Sequence, residues 1–86
     1  MILAFYMRNP AVIYLTKGTL DEKTIEAFKS LGRVWVAETM SGRRTVIFLE
    51  RDVNIAYVEE MTISEATSLL YGKDQPKLTI PKGGRA

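Results

Sequence analysis

Arg33 to Arg51, RVWVAETMSGRRTVIFLER, constrains the fold more than any other stretch. Two runs rich in Val, Ile, Trp and Phe flank Ser41 and Gly42, and Gly supplies the positive φ that a tight hairpin turn requires. A sheet with one face in water alternates apolar and polar residues, and these runs scarcely do. The stretch reads as a β-hairpin covered on both faces, by helices, a second chain or a ligand. That places it at the centre of the sheet.

Two registers fit the hairpin. With Ser41 and Gly42 as a two-residue loop, Thr39 faces Arg44, Ala37 faces Val46, Trp35 faces Phe48 and Arg33 faces Glu50. On the other side Val34 meets Leu49 and Val36 meets Ile47. With a three-residue loop, Met40 to Gly42, Gly42 becomes a bulge residue and Glu38 faces Arg44. The first register is preferred, because it opposes an aromatic pair and an opposite-charge pair, each worth roughly 0.2 to 1 kcal/mol over Ala pairs.

Around this hairpin the remaining elements are short. Ile2 to Met7 reads as a strand, Arg8-Asn9-Pro10 as a turn, and Ala11 to Thr16 as a second strand pairing with the first. A helix follows, opened by a capping box of Thr19 and Glu22, with Leu20, Ala27, Phe28 and Leu31 as its core stripe and Ile25 at the edge, and ended by Gly32. Val53 to Val58 is expected to form a further strand. A second capping box, Thr62 and Glu65, opens a helix with Ile63, Ala66 and Leu70 on its buried side and Gly72 as its stop. Lys77 to Ile80 offers a short C-terminal edge strand. The expected fold is α+β: an antiparallel or mixed five-strand sheet in β-β-α-β-β-β-α order, with both helices packed on one face. Residues 1–80 form a single domain and 81–86, PKGGRA, a flexible basic tail.

Composition narrows the chemistry. The 86 residues include no Cys and no His, which removes disulfides, thiolate or imidazole metal sites, a Cys nucleophile and an imidazole base. Met1 to Met7 is apolar but lacks a basic n-region and falls far short of the ~20 residues of a membrane span. The protein is therefore expected to be soluble and cytoplasmic, without membrane contact. One Gln, two Asn and many Glu, Lys, Arg, Val and Ile match the bias of proteins from hot environments.

Net charge is only +2, so its arrangement matters more than its total. Arg43 and Arg44 sit at the hairpin tip, Arg33 and Arg51 at its other end, and Lys73, Lys77, Lys82 and Arg85 lie near the C-terminus. A basic finger beside a basic tail suits a phosphate backbone, with Trp35, Phe48 or Tyr14 offering flat surface for stacking bases. The segments VIYLT, FKSLG, RVWVAET and GRRTVIFLE together resemble the first three strands and first helix of the RNA recognition motif over roughly forty residues. In that resemblance Tyr14 matches the aromatic of the first strand, and Arg44 and Phe48 match the basic and aromatic positions of the third. Thr45 stands where the family has a small residue, Val46 where it has a second stacking aromatic, and an extra strand precedes the unit.

Catalytic patterns are missing. Glu38, Glu50, Asp52, Glu59 and Glu60 are the candidate acids, but they form no paired-carboxylate spacing, and Glu59 and Glu60 adjoin a helix start where carboxylates serve the dipole. No nucleophile elbow or phosphate-cradling loop occurs. The chain reads as a non-enzyme with no cofactor. The leading reading is a small nucleic-acid-binding protein, contacting DNA or RNA through Arg43, Arg44, Trp35, Phe48, Tyr14, Lys77 and Lys82. The alternative is a protein-interaction module, homodimeric or blocking a larger protein partner. A homodimer is expected, because the hairpin needs cover on both faces in a chain with only two short helices.

Overall fold

The computed structural model describes residues 1–71. The stop at Gly72, the strand expected over Lys77 to Ile80, and the tail from Pro81 with its Lys82 lie outside the described residues. The elements are β1 (Ile2–Met7), β2 (Ile13–Lys17), α1 (Glu22–Lys29), β3 (Val34–Glu38), β4 (Arg44–Phe48), β5 (Ile55–Met61) and α2 (Ile63–Tyr71). The five strands form one sheet in the order β2-β1-β5-β4-β3, antiparallel at every pairing. This is the expected α+β fold in the expected element order.

The hairpin is not the centre of the sheet. β5 is, and among the described residues β3 forms an edge. β5 also extends past the expected Val58 to Met61, where Glu59 and Glu60 are bonded away from the helix start: Glu59 accepts from the Tyr6 hydroxyl at 2.7 Å, and Glu60 accepts from the Leu20 amide, ahead of α1, at 2.7 Å. The same order separates β2 from β4 by two strands, so the unit resembling the RNA recognition motif is not brought together as neighbouring strands.

The two helices lie on opposite faces, not on one. Neighbouring residues along a strand point to opposite sides. α1 covers the side bearing Leu3, Val46, Phe48 and Val58, where Leu20 and Ile25 complete the main core. α2 covers Ala4 and Met61 on the other side with Ala66, flanked by Ile2, Leu15 and Leu69. Its side is set by the chain itself: Met61 ends β5 on this second face, and a single residue, Thr62, separates it from α2. Phe28 anchors the α1 face, its ring edge-on to Phe5 at 6.0 Å and tilted against Phe48 at 5.5 Å. Such aromatic pairs add about 0.5–1.5 kcal/mol each beyond their burial.

The helix starts differ from each other. At α2 the expected capping box forms, with the Thr62 amide donating to Glu65 Oε1 at 2.8 Å and the Glu65 amide to Thr62 Oγ1 at 3.1 Å. At α1 the cap is Asp21, not Thr19; its carboxylate accepts from the Thr24 amide at 2.9 Å. The later start leaves Leu20 ahead of the helix, makes Ile25 its buried residue, and exposes Ala27 and Leu31. On α2, Ala66 is buried and Leu69 partly so, while Ile63 and Leu70 are exposed.

The hairpin takes the three-residue loop. Glu38 faces Arg44, Val36 faces Val46, Trp35 faces Ile47 and Val34 faces Phe48. Gly42, at φ +88°, follows Met40 and Ser41, and the Thr39 amide closes the loop on the Arg43 carbonyl at 2.7 Å. The preferred two-residue register would have put Phe48 and Val46 on the wrong face, because a slip of one residue inverts a strand. Only the observed register sends both beneath α1.

Candidate functional site

Fractional burial separates the expected site residues. Phe48 is 2% exposed and belongs to the core, so neither face of its ring is open to a base. Trp35 is 65% exposed and Tyr14 61%. They lie on opposite edges of the sheet, and the registers place Tyr14 with Phe5 on the α1 face and Trp35 with Ile47 on the α2 face. No common stacking surface joins them. Lys77 and Lys82 lie outside the described residues.

Arg43 and Arg44 meet carboxylates. Arg43 pairs with Glu65, the same side chain that closes the α2 capping box, and so ties the hairpin tip to α2. Arg44 donates to Glu22 at 3.0 Å and to the Leu20 carbonyl at 3.1 Å, with Glu38 3.7 Å away. Its amide donates to Glu60 at 2.8 Å. Glu60 therefore holds both Arg44 and Leu20 in place. The Arg43 guanidinium holds the Glu65 carboxyl below the ordinary glutamate range. At the far end of the hairpin, hydrogen bonding to Arg33 lowers Glu50 likewise. Arg8 is also committed: its guanidinium donates to the carbonyls of Val53 at 3.0 Å and Phe48 at 2.7 Å, clamping the β4–β5 connection.

A different constellation emerges on the α2 face. The strand registers align Trp35, Ile47, Tyr57, Tyr6 and Ile13, one from each strand, in a single row across the whole sheet. Tyr6 and Tyr57 stack at 4.2 Å with their planes 17° apart. Burial, followed by the bond to Glu59, raises the Tyr6 phenol well above its ordinary value, and burial raises Tyr57 as well. α2 covers the neighbouring residues Ala4 and Met61, but it leaves Ile47 37% exposed and Leu49, two residues further along the same face, 46% exposed. The outcome, among the described residues, is an apolar half-face bounded by α2 on one side and the outer edge of β3 on the other.

Sequence reading singled out Trp35 but missed Tyr57, Tyr6 and Ile47 as its companions. Alternation along IAYVEEM was the available signal, because it sets Tyr57 opposite Val58; only the long-range pairing of β1 with β5 brings Tyr6 alongside.

A cleft of about 560 Å³ separates α2 from the hairpin tip, lined in part by Tyr6, Thr39, Glu59, Ser64 and Leu69. Glu59 and Glu60 both border this cleft, but neighbouring residues of a strand point to opposite sides, and Glu60 is taken up by the Leu20 and Arg44 amides, so the two adjacent acids do not make an acid–base dyad. Among the described residues no group of three potential ligands is placed to hold a metal ion, and no helix is long and apolar enough to cross a membrane. Comparison of the chain with protein-family models, with curated proteins and with solved structures finds no match in any of the three.

Proposed function

We propose that this protein is a small interaction module that works as a homodimer, docking through the margin of the sheet that carries Trp35 and adjoins the exposed Ile47 and Leu49. The cross-sheet row carries the reading: soluble monomers rarely leave a contiguous apolar patch of this kind in water, and patches of this kind mark binding surfaces. An exposed Trp flanked by aliphatic side chains is the composition of an interface anchor. A standard interface hides roughly 800 Å² per partner, more than five partly exposed side chains supply, so neighbouring surface must join the row.

Nucleic-acid binding is the competing reading. Phosphate tracking asks for cations that are available to phosphate, whereas Arg43 and Arg44 already meet carboxylates. Light scattering of the full chain at micromolar concentration is expected to report twice 9.7 kDa, and Trp35→Glu to return a monomer that keeps its fold. Titration with fluorescent single-stranded and duplex DNA and RNA at low and moderate salt separates the readings. Binding that weakens in the Arg43→Ala, Arg44→Ala double variant, with a salt slope reduced by about 2, would overturn the interaction-module proposal.

A further inference from the structure

We infer that the dimer, if the reading above holds, is formed by antiparallel pairing of β3 with β3 of a second copy, with Val36 on the two-fold axis. The proposal rests on which backbone groups β3 leaves open. The Thr39 amide donates to the Arg43 carbonyl at 2.7 Å, and the Leu49 amide to the Arg33 carbonyl at 3.0 Å. Antiparallel ladders alternate bonded and non-bonded pairs, so Arg33, Trp35, Ala37 and Thr39 turn their backbone groups toward β4. Val34, Val36 and Glu38 turn theirs away from the sheet, along an edge that no other described strand pairs with.

Exposed edges are normally protected by Lys, Pro, a bulge or an inward charge. β3, VWVAE, has neither Lys nor Pro, and its register with β4 runs without a bulge. Its one charge, Glu38, is balanced by Arg44. The opposite edge is guarded: Lys17 ends β2, and Pro10 precedes it, its carbonyl accepting from the Val12 amide at 2.9 Å. Pairing β3 with β2 of another copy would be head-to-tail and open-ended, whereas β3 with β3 closes at two.

Complete overlap of the five-residue strand fixes the register. Outward residues pair only with outward residues, so Val36 faces Val36 of the second copy and Val34 faces its Glu38. The two Glu38 carboxylates fall at opposite ends of the joint. On the α2 face, Trp35 falls opposite Ala37 of the second copy, a large ring against a small exposed side chain. Each apolar row then runs into the other across the joint, so that the Trp35 end of each row is covered by the second copy, while Ile47 and Leu49 stay on the open α2 side of the continued sheet.

The test is residue-resolved amide exchange on the full chain, at high micromolar concentration and after dilution, alongside sedimentation of wild type and Val36→Pro. Proline is tolerated at an edge position whose N–H faces outward, so Val36→Pro blocks the joint and leaves the β3–β4 ladder intact. The expected result is a dimer in which the Val34, Val36 and Glu38 amides exchange at least tenfold more slowly than in the diluted chain, and a monomeric Val36→Pro. A dimer whose three amides exchange freely would overturn the edge pairing and leave the dimer standing as a face-to-face one. A monomer at every concentration would overturn both. Protection of the three amides in a monomer would overturn the pairing by showing that the chain covers its own edge. The wild-type exchange decides even if Val36→Pro fails to fold.

Discussion

Phe48 and Trp35 are both large aromatics of the second hairpin, yet Phe48 packs against Phe28 and Val46 under α1 while Trp35 stands in solvent at the sheet edge. Their truncations should therefore register in different measurements. Phe48→Ala is expected to cost about 3–5 kcal/mol in urea unfolding, by lost burial and the cavity it leaves. Trp35→Ala is expected to leave monomer stability nearly unchanged and instead to remove the concentration dependence of the unfolding midpoint that a dimer imposes. At the loop, Gly42 at φ +88° has open space around a would-be Cβ, with only Glu38 Oε2 at 4.0 Å, so any penalty comes from the backbone. Gly42→Val should lower stability by about 1 kcal/mol or more, measurable as a lower melting temperature.

Helix starts offer a cleaner comparison at the level of the element. Asp21→Ala and Thr62→Ala should each cost about 1 kcal/mol, whereas Thr19→Ala should cost little, because Asp21 and not Thr19 bonds the first turn of α1; chemical denaturation of the three variants checks the order. The α2 cap was legible in the sequence because both of its partners lie within four residues. T-x-x-E at Thr19 had the same appearance, but the Leu20 amide goes to Glu60 across the sheet, a partner that local spacing does not reveal. The hairpin was legible as an element, and so were the three-residue loop and the Glu38–Arg44 pairing as one of its two registers. The choice between them depended on which side α1 covers, a tertiary fact. The apolar character of both hairpin faces was likewise visible, and α1 accounts for one face only. Trp35 was legible as a surface aromatic. The row it belongs to was not, because it is assembled by β5 entering between β1 and β4.

Across the whole molecule, several carboxyls carry acid sensitivity. Asp21, Glu50 and Glu65 are all held below their ordinary values, by the Thr24 amide, Arg33 and Arg43 respectively. A carboxyl lowered in the folded state contributes stability that is present above its unfolded value, near pH 4, and lost as pH falls through the folded one. Melting temperature should thus stay level from neutral pH to about 5 and fall below about 4. Glu65→Gln should keep the α2 cap, since Gln serves a capping box, and blunt part of that fall in a thermal scan across pH. The place of β5 also dictates the order of assembly. β1 with β2 and β3 with β4 are hairpins that close locally, but they share no edge, and Ile2 meets Met61 only when β5 arrives. Such distant pairing is slow. The inner edges of β1 and β4 have their partner only in the seven residues Ile55–Met61, and a two-stranded hairpin alone is marginal in water, so a chain cut short before Ile55 is expected to lack stable sheet structure altogether.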